Sequence, residues 1–401
     1  TSNTFISDYN IQLEKGSLET IKGFVKLDGS KLLQKVKIKI PEAEILYETQ
    51  TNEKGRAEVL FSNKFELWSP RNPKLYNVII ESETDTIQDQ IGFRCIEMKN
   101  NQIWLNKTPV FLKSVNIHEE NPYTASRAFS IEDARILLSA AKELGCNMVR
   151  LAHYPHSENM IREAERMGLM VWDELPIYQH IKFSDNDVPG KIETMLNEMV
   201  CRDKNRCSVI IWSLSNETYY FTPGRNEELI KLTAKCRAMD STRLITHVVN
   251  TQGYQNNTFD VWDTLYKYSD IISLNEYIGW YVPWQGKPVE TKWKLKYKDK
   301  PVFISEFGGE ALCGNNQGPS DEANNWNEDY QANIYKNQIE MFSTIPNLCG
   351  VCPWLLFDYR SPGRMHPVYQ NGYNRKGLLS EKGQKKKAWF IMSEYYKKTK
   401  F

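Results

Sequence analysis

In the stretch Val209-Ile-Ile-Trp-Ser-Leu-Ser-Asn216-Glu217 an apolar run, Val209–Trp212, leads to a carboxylate just past it, and Val302-Phe-Ile-Ser-Glu306-Phe-Gly-Gly309 repeats the design. Runs without polar alternation belong to strands buried on both faces, as in a parallel sheet covered by helices. Working outward, the candidate strands, these two included, lie at 111–116, 146–152, 169–173, 208–214, 244–249, 270–275, 301–305 and 350–357. Amphipathic stretches separate most of them: Ile131–Leu144, Glu158–Met167, Glu227–Met239 and Tyr330–Ile345. Eight strand–helix units predict an α/β fold, a (β/α)₈ TIM barrel, over residues 96–401. A doubly wound sheet is the alternative, but no glycine-rich phosphate loop follows the first strand.

Residues 1–95 read differently. Lys35-Val-Lys-Ile-Lys-Ile40 alternates with period two, and Glu58–Phe61 and Tyr76–Ile80 do so more loosely. Turns such as Asp28-Gly29 and Asn52–Gly55 separate them. About seven short strands in this length predict an N-terminal all-β immunoglobulin-like sandwich, expected to be a spacer without chemistry.

Composition narrows the class. The 401 residues carry 51 Lys+Arg against 50 Asp+Glu, and the longest basic block is Lys385-Lys386-Lys387. A nucleic-acid binder usually concentrates a basic surplus, so nucleic acid is not an expected partner. Apolar runs fall far short of the ~18 residues of a membrane span, so no membrane is expected. Eight cysteines at 95, 146, 201, 207, 236, 313, 349 and 352 make no disulfide framework in a chain this long. Cys349-Gly-Val-Cys352 has redox spacing but enters a strand rather than opening a helix. His153-Tyr-Pro-His156 lacks a nearby third ligand, so zinc is not expected. No cofactor and no metal site is assigned. The chain begins at Thr1 without Met. A missing N-terminus is therefore expected, in a soluble protein of the cytoplasm or periplasm, and a homo-oligomer stays open.

In a barrel, chemistry sits at the C-terminal ends of the strands. Strands 4 and 7 lie across the mouth from one another, so Glu217 and Glu306 can face one pocket. Two carboxyls ~5–5.5 Å apart suit retaining glycoside hydrolysis, in which one attacks the anomeric carbon and the other protonates the leaving oxygen.

The residues also carry a family likeness. Gly92-Phe-Arg94, Trp104-Leu-Asn-Lys-Thr-Pro-Val-Phe-Leu-Lys-Ser-Val-Asn116-Ile-His118-Glu119, Asn147-Met-Val-Arg150-Leu-Ala-His153-Tyr154-Pro155 and Gly168-Leu-Met-Val-Trp-Asp173-Glu174 come first. Arg202–Glu217 and Ile304-Ser-Glu306-Phe-Gly complete the set. In this order the chain resembles glycoside hydrolase family 2, the β-galactosidase and β-glucuronidase family. The sandwich looks like that family's immunoglobulin-like domain, and the jelly-roll domain that precedes it in the family is absent from this chain.

The resemblance implies a hydrolase with Glu217 as acid/base and Glu306 as nucleophile. Arg150 is then the cation that keeps Glu306 ionised, and Tyr277 holds its carboxylate. Asn216 is expected to bond the sugar 2-hydroxyl. His153, His118, Glu119, Trp354 and Trp280 are expected to wall the sugar. Some relatives use Mg²⁺ near the acid/base, but no complete ligand set maps onto this chain. Asn275-Glu-Tyr-Ile-Gly279-Trp280-Tyr281 and Asn374-Arg375-Lys376-Gly377 resemble β-glucuronidase segments in which Asn374 and Lys376 grip a sugar carboxylate. Arg360 and Arg364 are candidate additional contacts. The implied activity is a retaining exo-β-glycosidase of uronide, β-glucuronidase-like specificity. A β-galactosidase on neutral galactosides stays open, as does a catalytically decayed carbohydrate-binding protein. Three departures stand out: Ser114 where Gly is usual, Arg206-Cys207 for a His-Pro pair, and Glu276 for Arg. Glu276 is expected near the pocket, where it would repel an acidic sugar.

Overall fold

The computed structural model describes residues 3–318 and 325–399. The barrel expected from the sequence is present. Its strands are Leu112–Lys113 with Asn116–Ile117 (strand 1), Met148–Leu151, Met170–Glu174, Val209–Asn216, Leu244–Asn250, Ile272–Asn275, Val302–Glu306 and Leu348–Val351. All pair in parallel in sequence order. Strand 1 closes the ring: Leu112 and Lys113 pair with Gly350 and Val351, and Asn116 and Ile117 with Arg150 and Leu151. The break between its halves falls at Ser114, a fully buried residue whose carbonyl accepts from the Tyr396 hydroxyl at 2.6 Å. Every residue of strand 4 is buried, as a two-sided parallel strand requires.

The outer layer departs from a regular eightfold repeat. Among the described residues the α-helices are Ile131–Leu144 (α1), Glu158–Met167 (α2), Val188–Asp203 (α3), Arg225–Met239 (α4), Glu328–Phe342 (α5) and Lys387–Lys398 (α6). Strand 5 is followed by a short 3-10 turn at Thr264–Lys267. After strand 6 comes Lys292–Leu295, which pairs with Thr258–Val261 in a small separate sheet. The last barrel strand also ends earlier than the sequence suggested, at Val351 rather than 357. Pro353 has no N–H to continue a ladder, so Trp354 sits beyond the strand, in the mouth.

The first part is a sandwich of two antiparallel sheets. One orders Thr4–Leu13, Thr20–Gly29 and Arg56–Ser62, and the other Ile45–Gln50, Lys35–Ile40, Tyr76–Glu81 and Thr86–Ile91. Ile11, Ile21, Val25, Val36, Ile38 and Ile80 fill the space between them. A hairpin, Ile96–Lys99 with Gln102–Leu105, follows. Its turn residues Asn100 and Asn101 both have positive φ, 51° and 58°, the geometry of a two-residue hairpin turn matched to strand twist. Ile103 and Leu105 pack with Leu112, Met148, Met170 and Phe303, which plugs the N-terminal end of the barrel and leaves the C-terminal mouth for ligands.

The two parts are joined by buried polar contacts. Arg206 pairs with Asp89 of the sandwich and with Glu165 of α2, the latter at 3.1 Å. Arg94 donates to the carbonyls of Cys207 at 3.1 Å and Val209 at 2.6 Å. Asn205 accepts from the Ile11 N–H and donates to the Tyr9 carbonyl, both at 2.9 Å. The Arg206-Cys207 departure is thus the seam between sandwich and barrel.

Candidate active site

The barrel mouth holds a cavity of about 600 Å³ lined by His118, His153, Asn216, Glu217, Asn275, Tyr277, Glu306, Trp354, Asn374 and Lys376, among others. Of the twelve residues given roles from the family resemblance, ten line the cavity or, like Arg150, lie directly beneath it, Glu119 and Trp280 being the exceptions; of the two additional candidates Arg364 lines it and Arg360 does not.

Arg150 organises the floor. Its side chain is fully buried, and it donates to Glu306 Oε1 at 2.8 Å, to Asn116 Oδ1 at 3.0 Å and to Asn216 Oδ1 at 2.9 Å. It also forks onto Glu174 with bonds of 3.0 and 2.9 Å. The other oxygen of Glu306 accepts from the Tyr277 hydroxyl at 2.7 Å. Burial and the neighbouring Glu306 charge push the Tyr277 phenol well above its ordinary range, so it donates rather than ionises.

Glu217 follows strand 4 with φ of +52°, a region uncommon for non-glycine residues, and this turns its side chain off the strand into the cavity. Its Oε1 accepts from Asn275 Nδ2 at 3.0 Å. Burial raises its pKa, and the Glu306 charge raises it further. The two carboxyls thus differ in their partners: Glu306 faces a guanidinium, while Glu217 is met by the side-chain amides of Asn275 and Gln179.

Glu174 is a site residue that the sequence reading quoted but did not single out. It ends strand 3 as Glu217 and Glu306 end theirs, and that same signal would have found it. Besides Arg150 it accepts from His153 Nδ1 at 2.7 Å, Trp172 Nε1 at 3.0 Å and Ser213 Oγ at 2.9 Å. Burial alone would raise its pKa, but Arg150 and these donors override that and hold it at about 2. His153 then stacks on Trp354 with centroids 4.9 Å apart. Asn275 was likewise missed, although it holds both Asn216 and Glu217.

On the opposite wall Lys376 Nζ donates to the Tyr281 hydroxyl at 2.7 Å and pairs with buried Glu310 at 3.2 Å. Arg364 reaches the same two partners at 3.2 and 2.9 Å. Asn374 lines the cavity beside them.

Four expectations are corrected. Glu119 does not reach the cavity, because its carboxylate is taken by Arg127 at 2.5 Å and by the Ser157 N–H at the start of α2. Trp280 points behind the wall, packing against Gly309 and edge-on to Trp326. Arg360 is held outside by Glu120 at 3.2 Å. Glu276 is fully buried in the barrel wall rather than the pocket, accepting from the Ile278 N–H at 3.0 Å and Gln338 Nε2 at 3.2 Å. Burial pushes its carboxyl up to about 7, and its place in the wall keeps it off the cavity lining.

No group of three or more His, Cys, Asp or Glu side chains among the described residues is arranged to hold a metal ion. No helix among them is long and apolar enough to cross a membrane.

Residues 96–401 match the TIM barrel domain of glycosyl hydrolases family 2, and residues 4–94 match a further domain of that family. The chain belongs to glycosyl hydrolase family 2. Within the family it is 29% identical over 382 residues to a β-glucuronidase of Streptococcus agalactiae, a match covering 84% of this chain and 61% of the relative. It is 26% identical over 431 residues to the mouse β-glucuronidase, covering 99% of this chain and 62% of that protein. The chain thus spans somewhat under two thirds of the length of these curated relatives. Among solved structures, a β-glucuronidase of Ruminococcus gnavus superposes with a TM-score of 0.83 at 24% identity, covering 99% of this chain and 69% of that one. A family 2 β-galacturonidase of Eisenbergiella tayi bound to galacturonate gives 0.83 at 22% identity, covering 99% and 73%. At these identities the two structures establish the shared fold.

Proposed function

We propose that this chain is a glycoside hydrolase, a retaining exo-β-glycosidase that removes terminal β-linked uronic acids from carbohydrate substrates, with catalysis in residues 96–401 and support from residues 1–95. The observation that carries it is the pair of unlike carboxyls in one cavity. Glu306, beside Arg150 and Tyr277, is the nucleophile that attacks the anomeric carbon. Glu217, whose proton is favoured by burial and by the Glu306 charge, gives that proton to the leaving oxygen. After departure it takes a proton from water, which hydrolyses the glycosyl-enzyme. Asn216 has its Oδ1 occupied by Arg150 and Asn275, which leaves its amide N–H to donate to the sugar 2-hydroxyl. His153, His118 and Trp354 wall the sugar ring.

Charge supports the uronide. Around Tyr281 two cations, Lys376 and Arg364, share one carboxylate, Glu310. One positive charge is therefore in excess, and a sugar carboxylate would answer it with Asn374 as a second donor. β-Glucuronidases among the relatives point the same way. A neutral galactoside is the second reading, favoured by the fact that Lys376 is already bonded to Tyr281 and Glu310.

Rates on nitrophenyl β-glucuronide, β-galacturonide and β-galactoside test the proposal. A uronide is expected to be fastest, and a galactoside ahead by about ten-fold or more, ~1.4 kcal/mol in transition-state binding, overturns the uronide reading. Glu306→Ala and Glu217→Gln are each expected to lose at least ~10²–10⁴-fold. Retained activity in either removes its assigned role, and a wild type that binds sugars but hydrolyses none is a decayed binding protein.

A further inference from the structure

Strand 4 leads into Asn216-Glu217-Thr218-Tyr219-Tyr220-Phe221, so three consecutive aromatic residues follow Glu217 almost directly. They stay at the rim instead of folding into the core: Phe221 is 71% exposed and Tyr220 51%. Large apolar side chains left together in water beside a cavity mark a surface kept for something that covers it. These rings are ordered against one another. Phe221 lies parallel to Tyr219 with centroids 5.5 Å apart, while Tyr220 stands edge-on to Phe221 at 5.4 Å and to Trp262 at 5.1 Å. Tyr219 is tied to His180, hydroxyl to Nε2, at 3.2 Å. His180 lies two residues past Tyr178, which lines the catalytic cavity and stacks on His153 at 5.8 Å. Tyr178 and Glu217, which both line the cavity, thus each stand two residues along the chain from a member of the patch, His180 and Tyr219.

The direction of the reaction says what meets that surface. An acid that protonates the leaving oxygen must lie on the leaving group's side of the scissile bond. We propose that Tyr219, Tyr220 and Phe221, with His180 and Trp262, form a leaving-group subsite that stacks a second pyranose ring. The substrate is then the non-reducing end of an oligosaccharide rather than a simple alkyl or aryl glycoside. This rests on the glycosidase reading above. The mixed chemistry of the patch selects a sugar: ring faces cover its C–H face, while the phenols and the imidazole answer its hydroxyls. Rigid aromatic side chains lose little freedom in doing so.

The test compares kcat/KM of the wild type, Phe221→Ala and Tyr220→Ala on three substrates that share the preferred sugar. These are a β-linked disaccharide, the nitrophenyl glycoside, and the glycosyl fluoride, whose leaving group has no ring. Phe221→Ala is expected to lose about ten-fold on the disaccharide, mainly through KM, and less than about two-fold on the fluoride, with Tyr220→Ala following the same order. Equal losses on disaccharide and fluoride, or none on either, overturn the subsite. A loss confined to the nitrophenyl glycoside overturns the pyranose as its occupant. An unchanged substrate ratio with a changed mass in light scattering assigns the patch to a second copy and overturns it too. A wild type inert on every β-glycoside removes the proposed function and this subsite together, whereas an active wild type with a flat ratio removes the subsite alone.

Discussion

Arg150 carries one positive charge and is shared between Glu306 at 2.8 Å and Glu174 at 2.9 Å. A guanidinium this deeply buried persists because its planar fork meets two carboxylates and two amide oxygens. In the proposed mechanism Glu174 acts on the chemistry through Arg150 and His153, which it holds by hydrogen bonds. Glu174→Gln is therefore expected to lower kcat by about 10²-fold, the cost of misplacing a reacting group by ~1 Å, with a smaller change in KM. Parallel loss of fold by circular dichroism would make its role structural only. Glu217 offers a pH test. Its pKa is raised, so the protonated acid is present below that value and is lost as pH rises through it. The basic limb of the kcat/KM profile should thus lie above ~4.3, the ordinary glutamate value. In Glu306→Gln, which removes one of the two raising influences, the Glu217 carboxyl titrated by carbon-13 NMR is expected to move down. A Glu217 value that stays put would leave burial as the whole cause.

At the scale of elements, sequence punctuation explains what was legible. α1 and α2 have the bounds that their sequence predicts because both carry caps. Ser130 and Asp133 form a reciprocal capping box, Ser157 accepts from the Asn159 N–H, and Gly145 and Gly168 end the two helices in the left-handed region. α3 was not singled out. Its start lacks a side-chain cap and carries Pro189 and Gly190 in the first turn, so neither its onset nor its period stands out. Gly168 does more than end a helix. Its φ is +70°, and a Cβ there would sit 2.5 Å from the Pro70 carbonyl oxygen of the sandwich. Gly168→Ala is expected to destabilise by more than the ~1 kcal/mol usual for alanine in place of a required glycine. Thermal unfolding reads this, with Gly145→Ala, whose nearest neighbour is a side-chain carbon at 3.2 Å, as the milder control.

For the whole molecule, the seam between sandwich and barrel is electrostatic and buried. Arg206 is 2% exposed and lies between Asp89 and Glu165, and Arg162 adds a 2.8 Å contact to Asp89. Burial raises Glu165, whereas at Asp89 burial is outweighed by Arg206 and Arg162, which lower it. Arg206→Met would leave Glu165 without its cation and Asp89 with Arg162 alone, and breaking a buried pair this way costs ~3–5 kcal/mol. Urea unfolding is expected to show that loss while kcat at low denaturant stays near wild type, since Arg206 sits at the N-terminal end of strand 4, opposite the mouth. A fall in kcat without loss of stability would contradict this placement.

The sequence by itself determined the barrel, the strand ends that carry Glu217 and Glu306, and the capped helices, because these follow from local periodicity and punctuation. It did not determine which of two neighbours faces the cavity. His118 lines it and Glu119 does not, Tyr277 does and Glu276 does not, Tyr281 does and Trp280 does not. Successive side chains in extended backbone point to opposite sides, and past a strand end the phase of that alternation is set by what the loop packs against. Only the tertiary structure decided that phase, and with it the joining of Arg150 to Glu174 across strands 2 and 3. Long-range contact, not the local pattern, brings those charges together.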